Sequence, residues 1–217
     1  MKTKVTRIYI VDDHPLIRDG MALLIGSQRD LQVCGSAGSM REALQQIASD
    51  PPDVLVADLS LKDGLGLELI KTVKERFPKV RTLVVSAFEE NHYAERVLRS
   101  GALGYVNKQE CEAKLLEAIR TVQAGRRFVS EQILQRLVNQ ALGGNEGEDP
   151  VSLLSDREFE IYRLIGQGVT TGDIAKQLHV SPHTIDSHRE KIRHKLNIKN
   201  GHELMQHAMR WVIENEP

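Results

Sequence analysis

Carboxylates follow two short apolar runs in the first third of the chain. Asp12 and Asp13 come directly after Ile8–Val11, and Asp58 ends the run Val54–Asp58. Three close carboxylates remain ionised together only beside a cation, and a site built from oxygen ligands suits Mg²⁺. A carboxylate can also act as the nucleophile toward a phosphoryl donor. The pattern predicts a Mg²⁺-dependent phosphoryl-acceptor site with Asp58 as the acceptor.

A hydroxyl and an ammonium group follow two later apolar runs. Ser86 ends the apolar run Thr82–Ser86, and Lys108 comes two residues after the run Leu103–Val106. In a parallel sheet with strand order 2-1-3-4-5, all these groups meet at one edge, beside the switch point between strands one and three. The hydroxyl and the ammonium group could then hold a phosphoryl group. An Asp-Asp pair alone is common in turns, so the prediction depends on all five positions together.

The elements that would position these groups are visible in the apolar pattern. As far as Gly125, short apolar runs alternate with amphipathic stretches, as in βαβ units that build a parallel sheet. Pro15 suits the first position of a helix, and Ser39 with Glu42 forms a predicted capping box. The predicted strands are Ile8–Val11, Gln32–Ser36, Val54–Asp58, Thr82–Ser86 and Leu103–Val106.

The length of 217 residues favours two domains. We predict an α/β domain over residues 1–125, a linker over residues 126–151, and an all-α domain of four helices over residues 152–217. The linker begins with an amphipathic stretch from Ile133 to Leu142 and continues as a segment rich in glycine and acidic residues.

The overall composition excludes few classes of function. The chain has 29 Lys and Arg residues against 30 Asp and Glu residues, so any DNA contact must come from local patterning. Cys34 and Cys111 are far apart and lack the spacing of metal ligands, which fits a reducing compartment. No apolar run approaches the roughly 20 residues of a membrane helix. We therefore expect a cytoplasmic protein without a membrane partner.

Residues 174–196 have the spacing of a helix-turn-helix. Ile174 and Leu178 lie in the predicted first helix, residues 179–181 form the turn, and Pro182 begins the second helix. Five cations oppose two anions between residues 179 and 202, so a positive face lies within a neutral chain. A charge run alone is more often a solvated surface, and that alternative remains open at this point.

The second helix would carry the groups that contact DNA. Its apolar residues fall on one face, and the polar residues on the other face begin at the N-cap, Ser181. The outward residues nearest the N-terminus would face base edges, and the later cations would face phosphates. The predicted base-side residues are His183, Thr184, Asp186 and Ser187, and the predicted phosphate-side residues are Lys191, Arg193 and Lys195.

The first half of the chain resembles a known family over about residues 5–125. The resemblance is to the receiver domain of two-component response regulators, which has a flavodoxin-like, doubly wound fold. It is carried by Val11–Pro15, Asp58, Ser86 and Tyr105–Lys108. The resemblance implies phosphorylation of Asp58 by a sensor histidine kinase. It also implies that Mg²⁺ is bound directly by Asp13, Asp58 and the Ser60 carbonyl, and through water by Asp12. The resemblance further implies that Ser86 and Lys108 hold the phosphoryl group. Tyr105 would be the switch aromatic, the aromatic residue that moves on phosphorylation.

Two positions depart from that family's pattern. The family often has proline four residues after the acceptor and directly after the lysine, where this chain has Lys62 and Gln109. The second departure leaves open whether the bond after Lys108 is cis.

The second half resembles a LuxR-type DNA-binding domain over about residues 152–213. The residues that carry this resemblance include Leu154–Glu158, Ser181–Ile185, His188 and Lys195–Leu196. Together the two halves are similar to the NarL/FixJ family of response regulators. The resemblance implies binding to double-stranded DNA and homodimerisation on phosphorylation, through a last helix that contains Leu204, Ala208 and Trp211. RNA polymerase is a further partner that it suggests.

Two other functions are compatible with part of the pattern. A Mg²⁺-dependent phosphohydrolase could use Asp58 as its nucleophile, but Ser60 stands where such an enzyme needs an acid/base carboxylate, and no capping insertion interrupts the sheet. A DNA-binding or protein-interaction module with a vestigial acidic pocket is the second alternative. We predict a regulator without enzymatic turnover.

Overall fold

The computed structural model describes residues 5–61, 64–141 and 150–216. The chain divides into two compact units with a boundary between Leu137 and Val138. The first unit is α/β and the second is helical. No helix in the described ranges combines the length and the apolar character needed to cross a membrane.

The first unit contains a five-stranded parallel sheet of order β2-β1-β3-β6-β7. The strands of this sheet are β1 (Thr6–Val11), β2 (Leu31–Ala37), β3 (Val54–Ala57), β6 (Arg81–Ser86) and β7 (Gly104–Asn107), and a separate two-stranded pair consists of β4 (Ser60–Leu61) and β5 (Gly64–Leu65). The five helices that accompany them are α1 (Pro15–Gly26), α2 (Met40–Ser49), α3 (Gly66–Arg76), α4 (Glu90–Ser100) and α5 (Cys111–Gln123). The predicted fold class and strand order are confirmed.

Both faces of the sheet are covered because side chains alternate along each strand. Ile8 and Ile10 of β1 pack with residues of α1 and α5, including Ile25. Tyr9 and Val11 of the same strand pack on the other face, with α2 and α3. The two cores fix β1 and β3 side by side and therefore fix the carboxylates that follow them.

The short hairpin β4–β5 directly after Asp58 is absent from our prediction. Its two-residue strands are too short to show a periodicity of two. Gly66 follows the hairpin, and a Cβ atom there would lie 2.3 Å from the Asp58 carbonyl oxygen. Glycine is required for this close approach, which holds the backbone around Asp58. Lys62 and Asp63 lie outside the described residues.

Residues 126–137, which we predicted as the start of the linker, pack on the first unit. Phe128 forms a parallel bridge with Gly104 at the free edge of β7. The Tyr105 amide donates to the Phe128 carbonyl at 2.8 Å, and the Phe128 amide donates to the Leu103 carbonyl at 2.9 Å. The Phe128 side chain packs against the core on the Ile8 side of the sheet. Helix α6 (Glu131–Ala141) follows, and residues 142–149 lie outside the described residues.

From Pro150 to Glu216, the described part of the second unit contains the four predicted helices, after a short 3₁₀ turn at Pro150–Leu153. They are α7 (Asp156–Gly166), α8 (Thr171–Gln177), α9 (Pro182–Lys195) and α10 (Gly201–Asn215). Polar caps fix where these helices begin. Ser155 and Glu158 form the predicted capping box of α7, and Ser181 caps α9 by accepting a hydrogen bond from the Thr184 amide.

The apolar face of α10 forms the core of this unit. Leu204 and Ala208 are fully buried, and Trp211 packs edge-on against Phe159 of α7 with ring centroids 5.4 Å apart. A Cβ atom at Gly166 would lie 2.5 Å from the Ala208 carbonyl oxygen, which shows how closely α7 and α10 approach. Our assignment of Leu204, Ala208 and Trp211 to a dimer interface is wrong, because residues buried in their own domain cannot contact a second copy.

The position of Phe128 predicts a measurable effect on stability. We expect Phe128→Ala in the full-length chain to lower the free energy of unfolding of the first unit by about 2 kcal/mol, because it removes apolar contacts with the core. Arg127→Ala is the matched control, since Arg127 is exposed and its replacement should change stability by less than about 0.5 kcal/mol. Urea unfolding measures both. Equal stability of the two variants would show that residues 126–137 do not belong to the first unit.

Candidate functional site

The three predicted carboxylates come together at the carboxyl edge of the sheet. Val11 and Ala57 are paired across β1 and β3, so Asp12 and Asp58 leave neighbouring strands at the same level. Asp12 is 0% exposed and Asp58 is 2% exposed, whereas Asp13 is partly exposed. Single ligand atoms of Asp12, Asp13, His14 and Asp58 all lie within 4.8 Å of one another. This cluster is the predicted acidic pocket.

Lys108 connects the two buried carboxylates. Its Nζ atom lies 2.7 Å from Asp58 Oδ2 and 2.7 Å from Asp12 Oδ2. Asn107 at the end of β7 pairs with Ser86 at the end of β6, and its side chain caps the 3₁₀ turn that begins with Lys108. No cis peptide bond occurs in the described residues, so the bond between Lys108 and Gln109 is trans.

Burial controls the electrostatics of the pocket. Burial raises the pKa of Asp58, and the neighbouring Asp12 carboxylate adds to this rise, although Lys108 opposes it. Burial alone lowers the pKa of Lys108, but the attraction of Asp58 and Asp12 outweighs this effect and holds its pKa above the ordinary value. Lys108 is therefore a cation at neutral pH, and additional positive charge beside Asp58 would favour the ionised form of its carboxyl group.

One oxygen of the acceptor aspartate remains available. Asp58 Oδ1 is buried and has no hydrogen-bond partner among the residues that the structure describes. An anionic oxygen in this position loses hydration without full compensation, unless a cation or a reacting group takes the place of water. An all-oxygen set of carboxylates around it matches the preference of hard divalent cations such as Mg²⁺.

Two residues outside the predicted site support the loop after β1. The His14 amide donates to Asp12 Oδ1 at 2.8 Å, and its Nδ1 atom lies 2.7 Å from Asp13 Oδ1. Arg18 donates to the Asp12 carbonyl at 2.7 Å from one turn into α1. The spacing of Arg18 corresponds to no motif, so only the folded loop shows this contact.

Ser86, Phe88 and Tyr105 form a connected group beside the pocket. Ser86 is fully buried at the end of β6, and its Oγ atom accepts from the Phe88 amide at 3.4 Å. The Tyr105 hydroxyl donates to the Phe88 carbonyl at 2.7 Å, and the Phe88 ring stacks on Tyr93 of α4 at 4.6 Å. Burial raises the pKa of the Tyr105 phenol, which keeps it a neutral donor. Tyr105 therefore points inward, and Phe88, which we did not predict, connects it to Ser86.

Ser60 lies two residues beyond Asp58, in β4 and exposed. The assignment of its carbonyl as a metal ligand stays a prediction.

The helix-turn-helix is formed by α8, α9 and residues 178–181 between them, so Leu178, which we predicted in the first helix, caps the end of α8 instead. His179 adopts a left-handed backbone with φ of 53°, a conformation that histidine tolerates better than most residues. Ile185 and Ile192 are fully buried, as predicted for the inward face, and His188 is half-buried beside them. The outward side carries His183 and the anions and cations of α9.

Both predicted base-side hydroxyls, those of Thr184 and Ser187, already have partners. Ser181 Oγ lies 2.9 Å from Thr184 Oγ1 and accepts from the Thr184 amide at 3.1 Å. The Ser187 hydroxyl donates to the His183 carbonyl at 3.0 Å. His183 and Asp186 are exposed, and their side chains make no hydrogen bond or ion pair with any residue that the structure describes.

The three predicted phosphate-side cations differ in their contacts. Lys195 Nζ lies 2.7 Å from Oε2 of the buried Glu158, and it also donates a hydrogen bond to the Leu153 carbonyl at 3.1 Å. Arg193 donates to the Lys199 carbonyl at 3.2 Å. Lys191 is exposed and has no such partner in the described part of the chain. The structure therefore ties Lys195 to the base of α7 and leaves Lys191 the freest of the three.

Comparison with known families assigns both halves. Residues 8–120 match the response regulator receiver domain, and residues 152–208 match the luxR family of bacterial regulatory proteins. The chain is 36% identical over 211 residues to the oxygen regulatory protein NreC of Staphylococcus epidermidis, which covers 94% of this chain and 97% of that protein. NreC of Staphylococcus carnosus is 35% identical with the same coverage.

Comparison with solved structures agrees. RcsB of Salmonella enterica serovar Typhimurium, bound to the promoter P1flhDC in the presence of the phosphomimetic BeF₃⁻, is 27% identical, with a TM-score of 0.71 over 94% of this chain and 98% of that one. Another structure of Salmonella typhimurium RcsB gives a TM-score of 0.74 at 26% identity, covering 95% of this chain and 98% of that one. The chain belongs to the NarL/FixJ family of two-component response regulators, with a receiver domain followed by a LuxR-type DNA-binding domain.

Proposed function

We propose that a sensor histidine kinase transfers a phosphoryl group to Asp58 and that the phosphorylated protein binds double-stranded DNA to regulate transcription. The observation that carries the first step is Asp58 Oδ1, a buried anionic oxygen without a hydrogen-bond partner among the described residues, beside the Lys108 ammonium group. An Asp58 oxygen forms a bond to phosphorus while the bond between phosphorus and the donor's histidine nitrogen breaks. The electron pair of the broken bond stays with the histidine.

The neighbouring residues hold the transferred group. The Ser86 hydroxyl would donate a hydrogen bond to its oxygens, and the Lys108 ammonium group would neutralise their charge. Asp13 and Asp58 would bind Mg²⁺ directly with the Ser60 carbonyl, and Asp12 through water. When bound, Mg²⁺ supplies positive charge at the phosphoryl oxygens.

Tyr105 is proposed as the residue that reports phosphorylation. The Phe88 carbonyl accepts a hydrogen bond from the Tyr105 hydroxyl, and the Phe88 amide donates one to Ser86 Oγ. If the Ser86 side chain turns toward a phosphoryl group, Phe88 therefore loses one of these two contacts. The ring of Phe88 stacks on α4, so this change reaches the surface of the receiver.

The receiver is proposed to act without enzymatic turnover. The position two residues beyond Asp58, where a phosphohydrolase needs an acid/base carboxylate, is Ser60. A kinase donor and a DNA target are both consistent with a protein that works in the cytoplasm.

The DNA interface is proposed on the outward side of α9. Lys191 and Arg193 contact phosphates, and His183 and Asp186 lie nearest to base edges. Lys195 has a structural role instead, because it pairs with buried Glu158 and fixes the end of α9 to the start of α7.

The exposed side of α10 replaces the dimer interface that we first predicted. Met205 is 39% exposed, Met209 is 41% exposed and Ile213 is 77% exposed. These three residues are spaced by four and form one apolar stripe on the helix. A stripe of this kind is suited to pairing with the same stripe of a second copy.

The phosphorylation step is tested with acetyl phosphate and Mg²⁺. Wild type should gain one acid-stable, hydroxylamine-labile phosphoryl group, and EDTA should prevent labelling. Asp58→Asn should remain unlabelled, since the carboxamide is a poor nucleophile. Asp19→Asn, which changes an exposed aspartate of α1, should be labelled like wild type. Equal labelling of Asp58→Asn would exclude Asp58 as the acceptor.

Lys191 and Lys195 should differ when each is replaced by alanine. Lys191→Ala should weaken binding to all DNA sequences about equally and reduce the slope of log K against log salt concentration by about one. Lys195→Ala should mainly lower the melting temperature of the DNA-binding domain, because it leaves buried Glu158 unpaired. Lys79→Ala, at an exposed site in the receiver, is the charge-matched control. If Lys191→Ala binds with an unchanged salt slope, α9 is not the phosphate-contacting helix.

The dimer interface is tested with Ile213→Glu. A charge on the apolar stripe should prevent pairing of phosphorylated chains and reduce DNA affinity roughly tenfold or more, with an unchanged melting temperature. Analytical ultracentrifugation and fluorescence anisotropy measure the two effects. If Ile213→Glu dimerises as strongly as wild type, the apolar stripe on α10 is not part of the dimer interface.

A further inference from the structure

The N-terminal half of α9 offers few free polar groups to DNA. Within residues 182–188, the hydroxyls of Thr184 and Ser187 are already bonded to neighbouring atoms of the helix and its cap. His188 is half-buried on the inward side. Among the described residues of this half, the exposed polar side chains without a partner are those of His183 and Asp186. An imidazole can donate or accept, but a carboxylate can only accept.

Only two bases present a donor to a carboxylate in the major groove. Guanine presents two acceptors, and thymine presents an acceptor and a methyl group. Adenine presents its N6 amino group beside the N7 acceptor, which would repel the second carboxylate oxygen. Cytosine presents its N4 amino group without an acceptor on the same base edge, so it fits a carboxylate best.

The position of Asp186 makes this choice matter. It lies one turn from the N-terminus of α9, the part of a recognition helix that meets base edges. The cations of the helix, Arg189, Lys191, Arg193 and Lys195, all follow it in sequence. A carboxylate at this place faces the field of the DNA phosphates without a partner of its own. On a site without a suitable donor it would lose water, gain no hydrogen bond and be repelled.

We propose that Asp186 is a specificity-determining residue that accepts a hydrogen bond from the N4 amino group of one cytosine in each half-site. This inference rests on the proposed DNA-binding function of α9. Asp186 then acts in two ways: it favours one base, and it weakens binding to all sequences that lack that base.

The test is selection of binding sites from a randomised duplex library by the full-length chain phosphorylated with acetyl phosphate. Wild type should enrich a cytosine at one fixed position of each half-site. Asp186→Asn should shift that position to adenine, because a carboxamide pairs with adenine N6 and N7 together. Glu75→Gln removes the same charge at an exposed site on α3 and should leave the selected sequence unchanged.

Binding isotherms quantify the same effect. On the selected duplex, replacing the cytosine by adenine should weaken wild type about tenfold and should not weaken Asp186→Asn. Asp186→Asn should also bind an unrelated duplex more tightly than wild type, since the variant lacks the carboxylate that the DNA phosphates repel. An identical selected sequence for wild type and Asp186→Asn overturns the role of Asp186 while leaving DNA binding by α9 intact. Absence of any enriched sequence for wild type overturns the proposed DNA-binding function as well.

Discussion

The contact of Lys108 with both Asp12 and Asp58 is the interaction on which the receiver pocket depends. Adjacent parallel strands necessarily end in adjacent side chains, so the sheet forces two carboxylates together in a buried place. One ammonium group at 2.7 Å from each makes this arrangement tolerable. The compensation is incomplete, because burial still holds the pKa of Asp58 above its ordinary value. A carboxyl group whose pKa is raised by folding lowers stability as pH rises through the range between its unfolded and folded pKa values. Asp58 therefore opposes folding once the pH exceeds this range, whereas Lys108, whose pKa is also raised, contributes stability that is lost only at alkaline pH.

The same strands connect the pocket to the rest of the receiver. Tyr105 is held at two points: its hydroxyl by the Phe88 carbonyl and its amide by the Phe128 carbonyl. The first contact leads back to Ser86, and the second leads to the segment that precedes α6. The sheet thus ends in a backbone pairing with residues that belong, in sequence, to the region before the DNA-binding domain. In that domain, a buried carboxylate is again neutralised by a lysine, since Glu158 of α7 pairs with Lys195 of α9.

The strands and helix starts that depend on short stretches of sequence could be predicted. The apolar runs predicted the five strands of the main sheet, and the caps at Ser155 and Ser181 predicted where two helices begin, because both signals act over a few residues. Sequence reasoning missed contacts that depend on tertiary packing. Phe88 and Arg18 have no distinctive spacing, and the pairing of Phe128 with Gly104 joins residues far apart in the chain. For Leu204, Ala208 and Trp211, periodicity correctly showed an apolar face, but it does not reveal whether that face is covered by the same domain or by a second copy. Lys195 likewise reads as one more cation until Glu158 is seen beside it.

The role of Lys108 in the pocket is measured most directly by the pKa of Asp58 in the metal-free protein. NMR titration of the Asp58 side-chain carboxyl carbon gives this value in wild type and in Lys108→Met, which keeps the length of the side chain and removes its charge. We expect a higher Asp58 pKa in Lys108→Met than in wild type, because the effects of burial and of Asp12 are then no longer opposed by the Lys108 charge. An equal or lower pKa in the variant would contradict this expectation, since Lys108 would then contribute nothing to holding the acceptor ionised.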